Sequence, residues 1–233
     1  MIHPVNGGWI VNINKPAGWT SFDVVKKVRN ITRIRKVGHA GTLDPFATGV
    51  LLICLNRATK LTETLMTLPK EYLATLHLGK RTDTLDPTGK VVQQQPVPDL
   101  TRPSVEEVLS RFIGKIRQRI PEYSASKIGG VRRYKLARQG KEVPEEYKTV
   151  EIYQLELVEL APPEMTIRVL CSRGTYVRVL GDDIARALGT VGHLRELVRT
   201  SIGDYSLKES FTIAEFEKVW KEKYVHESFS SHK

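Results

Sequence analysis

Six consecutive apolar residues, Val50-Leu-Leu-Ile-Cys-Leu55, follow directly on a loop of glycines and hydroxyl residues, Lys36-Val-Gly-His-Ala-Gly-Thr-Leu-Asp-Pro-Phe-Ala-Thr-Gly49. An apolar run of that length with no polar alternation needs cover on both faces, so it reads as a fully buried strand. The loop that feeds it holds one carboxylate, Asp44. A lone acid cannot run two-carboxylate chemistry by itself, but it can serve as a single nucleophile or base if its surroundings fix its position. Asp44-Pro45 is also a plain turn signal. Gly38, Gly41 and Gly49 would let the backbone approach a ligand closely, and His39, Thr42 and Thr48 add hydrogen-bonding groups. No Gly-Lys-Ser/Thr follows, so the loop is not a nucleotide P-loop.

The elements around this junction do not alternate regularly. Trp9 to Ile13 reads as a strand, and Asn14 to Trp19 as a turn. A helix then begins with Thr20 or Ser21 as its cap, with Phe22, Val24, Val25, Val28 and Ile31 at helical spacing as its apolar face. Thr59 to Leu68 is expected as a short helix, Lys70 to Leu78 as a strand with Tyr72, Ala74, Leu76 and Leu78 on one face, and Lys90 to Gln93 as a short strand. Ser104 is a candidate cap for a helix running to about Ile113. Further strands are expected at about Val150–Leu160 and Met165–Cys171, and helices at Thr175–Leu188, Gly192–Arg199 and Ile213 to about Tyr224. Thr200–Leu207 reads as an edge strand. Strands that follow one another through modest turns argue for a mixed, largely antiparallel sheet in an α+β domain.

The formal charge of +10 arises from 36 basic and 26 acidic residues, and it is concentrated. Residues 117 to 141 hold eight basic side chains and one acid, Glu122, whereas residues 212 to 233 are neutral. A surface that tracks phosphates has this distribution. The basic window mixes Pro, Gly and Ser with Tyr123 and Tyr134 and is expected as a long, partly mobile loop with one helical turn. No apolar run reaches the ~18 residues of a membrane span. The N-terminus lacks a secretion signal. Cys54 and Cys171 sit in apolar runs and form no metal-ligand pattern, so a cytoplasmic location is expected.

Six segments, in order, resemble the TruB family of RNA pseudouridine synthases. They are Asn14-Lys-Pro-Ala-Gly-Trp-Thr-Ser21, Val37 to Gly49, Lys70-Glu-Tyr72, Leu78-Gly-Lys-Arg-Thr-Asp-Thr-Leu-Asp86, the pair Pro121 to Lys127 and Tyr134 to Gly140, and Cys171-Ser-Arg-Gly-Thr-Tyr-Val-Arg178. The resemblance covers about residues 8 to 207. It implies a pseudouridine synthase fold, a curved, mostly antiparallel sheet flanked by helices, with a basic RNA-gripping insertion at about 117–144. It implies Asp44 as the catalytic acid, Arg178 as its partner and Tyr72 stacked on the flipped uracil with its hydroxyl near the base carbon. His39, Lys15 and Leu180 are implied as further substrate or loop contacts, and Lys127, Arg132, Arg133, Lys135 and Arg138 as RNA contacts. The implied reaction is cofactor-independent isomerisation of uridine to pseudouridine in the T loop of tRNA, at position 55, by a monomer without metal or membrane.

The expected organisation is a catalytic domain over 1–210 and a short helical tail over 211–233. Only 28 residues follow Tyr205, so the C-terminal RNA-binding module of the PUA type, usual in bacterial relatives, is expected to be missing. Two other readings stay open. One is a guide-RNA-dependent synthase of the box H/ACA type, which shares the Gly-Thr-Leu-Asp-Pro core. The other is a non-catalytic RNA-binding or RNA-folding protein on the same scaffold.

Overall fold

The computed structural model describes residues 1–5, 7–124 and 126–225; the side chains of residues 127, 138, 224 and 225 lie outside that description. In chain order the elements are β1 (Ile2–Val5), β2 (Gly8–Lys15), α1 (Ser21–Thr32), β3 (Val37–His39), β4 (Thr48–Asn56), α2 (Thr62–Thr67) and β5 (Lys70–Leu78). Then come β6 (Lys80–Thr82), β7 (Val91–Gln94), α3 (Arg102–Ser110), β8 (Gly114–Arg119), β9 (Lys127–Ile128), β10 (Val131–Arg132) and α4 (Arg133–Arg138). The chain closes with β11 (Tyr147–Ala161), β12 (Glu164–Cys171), α5 (Val177–Ala187), β13 (Gly192–Ile202), β14 (Tyr205–Ser206) and α6 (Ile213–Trp220). Contacts divide the chain into two units, Met1–Tyr72 with Val198–Lys233, and Leu73–Leu197.

In the first unit β4 is the central strand. It pairs antiparallel with β2 from Gly8↔Asn56 to Lys15↔Gly49. Its other side pairs antiparallel with β3 and, at Thr48 and Gly49, parallel with Val198 and Arg199 of β13. Alternate β4 side chains feed two cores, which explains why the run shows no polar alternation. Leu51, Ile53 and Leu55 join Val24, Val25 and Val28 of α1 and Phe216 and Trp220 of α6. Val50, Leu52 and Cys54 join Ile10, Ala58, Leu65 and Ile202 on the opposite face. Thr20 caps α1 in a reciprocal box with Asp23, one of the two candidate caps. The segment after residue 210 is built into this unit: Phe216 is 0% and Trp220 4% exposed.

In the second unit the strand order is β5-β12-β11-β8. β11 pairs antiparallel with β12 on one side and with β8 on the other. α3 packs on β11 and α5 on β8, over a core that includes Leu76, Leu78, Leu109, Ile152, Ile167, Val169, Leu180 and Ile184. β6 and β7 form a separate hairpin, as do β9 and β10.

Five sequence expectations need correction. Gly192–Arg199 is not a helix; it belongs to the eleven-residue strand β13. Leu194 and Leu197, three apart, mimic a helical face because Arg195 and Glu196 interrupt the strand alternation with two exposed residues in a row. The expected edge strand Thr200–Leu207 is the end of β13 and a tight return through β14. The basic window begins as a strand, β8, rather than as a loop; its inward position is the buried polar Gln118, which hid the apolar signal. Thr101 caps α3, with Ser104 completing the capping box from the third helical position, and the helix ends at Ser110. Finally, Phe22 does not share the buried face of α1, since its position in the first turn leaves the ring exposed while Ser21 turns inward.

Candidate active site

Asp44 sits in the loop between β3 and β4, and that loop is held from three directions within the first unit. From β2, the fully buried Lys15 donates from Nζ to Trp19 O (2.7 Å), Pro16 O (2.8 Å) and Pro45 O (3.2 Å). From the start of α1, the Ser21 hydroxyl accepts from Leu43 N at 2.9 Å and donates to Leu43 O at 3.1 Å. From β13, the Arg199 guanidinium, 1% exposed, donates to Val50 O (2.7 Å), Gly41 O (3.2 Å) and Thr42 O (3.4 Å). Ala47 N donates to Asp44 O at 3.1 Å, closing the turn on the acid itself. The residues on both sides of Asp44 are therefore fixed by buried bonds, which holds the backbone of the acid in place. Burial pushes the Lys15 ammonium down to about 8; Asp44 and Asp23 act against that and Arg199 with it.

Two of the three loop glycines meet a steric need. Gly41 has φ +101°. Gly49 has φ +105°, and a Cβ there would fall 2.2 Å from Arg199 O across the parallel pairing. Gly38 lies in β3 with open space where a Cβ would stand.

Tyr72 lies near the start of β5 at 8% exposure, on the strand's buried face. The neighbouring Glu71 accepts a 2.6 Å bond from Thr200. His39 is half-buried in β3, opposite Ile53 in register. Asp44, Tyr72, His39 and Lys15 thus belong to the first unit, whereas Arg178 and Leu180 belong to the second.

Arg178 is the second residue of α5 and is 4% exposed. Its guanidinium donates to Thr84 O (2.6 Å) and Tyr123 O (2.9 Å) and lies 3.6 Å from the Asp86 carboxylate. Asp86 is itself buried and accepts from Thr84 Oγ1 (2.7 Å), Thr88 N (3.0 Å) and Thr88 Oγ1 (2.6 Å). The Thr82–Gly89 turn is therefore a preformed cradle for the guanidinium, with Leu85 at φ +61° to make the corner. The sequence marked this segment only as a matching stretch. Asp86 and Arg199 carried no role in the sequence reading and Ser21 only that of a candidate helix cap; the available signal was Asp86-Pro87, an acid at a turn.

Leu180 is fully buried in the α5 core, which leaves it no surface to offer a base. Arg133 is 1% exposed and spends its guanidinium on Glu146 (2.7 Å) and Pro144 O, so it is an internal tie of the insertion rather than an exposed cation. Arg132 and Lys135 are both exposed on the same insertion. The side chains of Lys127 and Arg138 lie outside the described residues.

The mostly antiparallel α+β architecture is that of the pseudouridine synthases, and the protein is an RNA pseudouridine synthase. The comparisons with known proteins make the family explicit. Residues 29–177 match the model of the TruB family pseudouridylate synthase N-terminal domain, and residues 178–231 that of the tRNA pseudouridylate synthase B C-terminal domain. The chain belongs to the TruB family.

The tRNA pseudouridine synthase B of Caldanaerobacter subterraneus subsp. tengcongensis is 46% identical over 210 residues, covering 90% of this chain and 74% of that protein. The protein of the same name from Phocaeicola vulgatus is 45% identical over 216 residues, covering 90% and 92%. Among solved structures, a Cbf5–Nop10–Gar1 complex aligns with a TM-score of 0.72 at 30% identity, over 93% of this chain and 56% of that one. The chain thus spans little more than half the length of that structural relative.

Proposed function

We propose that this chain isomerises uridine to pseudouridine in the T loop of tRNA, at position 55, acting alone as a cytoplasmic monomer. The observation that carries the reading is the Asp44 loop, a lone carboxylate whose flanking backbone is pinned by Lys15, Ser21 and Arg199. The tRNA in the names of the curated relatives supports the choice of substrate. In this reading the target base leaves its stack, at a cost of a few kcal/mol, before chemistry begins. Tyr72 stacks on the uracil. Asp44 acts on the bound nucleotide. The bond from C1′ to N1 breaks, the uracil turns, and C5 bonds to C1′. The proton lost from C5 is balanced by one gained at N1, and the Tyr72 hydroxyl assists its removal. The reaction is redox-neutral, so it requires no electron carrier. His39 helps hold the displaced nucleotide, and Arg132 and Lys135 meet the phosphates.

The test is tritium release from a T-arm stem-loop labelled at uridine C5, with wild type and Asp44→Asn. Release by wild type, and a loss of at least about 10³-fold in the variant, is the expected result. A second reading is favoured by the Cbf5–Nop10–Gar1 likeness, a synthase that works in a larger assembly. A folded wild type that binds the bare hairpin yet releases no tritium would select it.

A further inference from the structure

The arginines of the second unit differ in how their charge is met. Among the described residues, Arg81, Arg102, Arg111, Arg168, Arg186 and Arg195 each pair with a carboxylate. Among the same residues Arg117 and Arg119 form no ion pair, and neither does Lys115 beside them. All three stand at alternate positions of β8, so they project from one face of the strand. The intervening Ile116 and Gln118 point the other way, and Gln118 is fully buried, exchanging bonds with the backbone of Tyr176 (2.8 and 3.1 Å). The cation-bearing face is therefore the outer one. In register across the strand pair stand Tyr147 opposite Arg119, Thr149 opposite Arg117 and Glu151 opposite Lys115. The Arg117 guanidinium rests 4.5 Å above the Tyr147 ring, which is itself 45% exposed.

We infer that the outer face of the β8–β11 ribbon is a second RNA-contacting surface, on which Lys115, Arg117 and Arg119 track successive phosphates of a sugar–phosphate backbone. Alternate residues of an antiparallel strand are about 6.8 Å apart, a spacing comparable to neighbouring phosphates along an RNA chain. A strand presents that spacing rigidly, which a mobile loop cannot. Stacking on Tyr147 orients the Arg117 guanidinium in advance, which reduces the entropy lost on binding. Among the described residues, no carboxylate lies within ion-pair distance of these three cations, although Arg119 acts electrostatically on Asp183, whereas six other arginines of the unit are each paired with a carboxylate. β8 pairs with β11 alone, so the bland explanation is that charges protect a sheet edge from self-association. That explanation accounts for charge at the edge, but not for three cations outside any ion pair, one of them, Arg117, seated over an aromatic ring.

The inference rests on the RNA-substrate reading above, and the experiment separates the two. Binding of the T-arm hairpin is measured over a range of salt for wild type, for Lys115→Gln/Arg117→Gln/Arg119→Gln, for Arg117→Gln alone, and for the control Arg102→Gln/Arg111→Gln/Arg168→Gln. Melting temperatures establish that each variant is folded. The expected result is a fall of about 2 in the slope of log K against log salt for the triple variant, with at least tenfold weaker binding near 0.1 M salt. The slope should fall by roughly 0.7–0.9 for Arg117→Gln and should not change for the control. An unchanged slope in the triple variant, or a triple variant that merely aggregates, overturns the proposal in favour of edge protection. Wild type that binds with a steep slope but releases no tritium defeats the substrate reading while leaving the slope comparison decisive. Wild type that does not bind the hairpin overturns both.

Discussion

At the scale of single residues, buried polar groups are committed to holding the backbone of the site. Lys15, Ser21 and Arg199 are spent on the backbone around Asp44, and Asp86 on the setting of Arg178. Asp183 shows the opposite case, a carboxylate with a cost. Burial first, and its neighbour Asp182 second, push its carboxyl up to about 6, against the pull of Arg186 and Arg119. Between the unfolded value near 3.8 and about 6 the folded protein binds more protons than the unfolded chain, so this group's contribution to stability falls as pH rises through that window. Asp183→Asn is therefore expected to be more stable than wild type at pH 7.5, by on the order of 1 kcal/mol once the partial solvent screening of the carboxylate is allowed for. The advantage should vanish as pH is lowered from 6 to 4, and denaturant unfolding across that range measures it. Asp44 and Arg178 were legible as candidates in the sequence, because they sit in long matching motifs. Arg133 and Leu180 sit in or beside equally good motifs and turn inward, because a motif carries residue identity and not the direction of a side chain.

At the scale of elements, the junction between the Asp44 loop and β4 depends on one close approach. Gly49→Ala is expected to cost about 2–4 kcal/mol, since the methyl would meet the Arg199 carbonyl and the φ is strained for an L residue. Gly38→Ala, with open space around it, should stay within about 0.5 kcal/mol. Thermal melts of the two variants give the contrast directly. Elements with a clean pattern were readable from the sequence. α1 has its capping box and apolar face, β5 alternates strictly, and β4 is apolar throughout its centre. β8 and β13 were not readable, and for a shared reason. Each places a polar side chain in the interior, Gln118 with its bonds to Tyr176 and Arg199 with its bonds to three carbonyls. A buried polar group satisfied by distant partners erases the hydrophobic period on which strand recognition depends.

At the scale of the whole molecule, α6 near the end of the described residues packs against the strands at their beginning. Phe216 and Trp220 of α6 pack with Val11, Ile13 and Val24, and Trp220 meets Trp9 edge to face with ring centroids 5.6 Å apart. Phe216→Ala should cost about 3–5 kcal/mol and lower the midpoint of unfolding, a loss that chemical denaturation would measure. A solvated tail would give a change near zero. By itself the sequence determined the class of fold, the family, the candidate acid and the concentration of positive charge, because these are written in local runs of residue type. Tertiary structure alone decided which cations are spent and which are available. Lys15, Arg133 and Arg199 are buried on carbonyls or a carboxylate, whereas Lys115, Arg117 and Arg119 stand outside any ion pair on one strand face. The physical reason is that an ammonium or guanidinium looks the same in a sequence wherever it lies, and only the partners brought to it by folding determine whether its charge is already compensated.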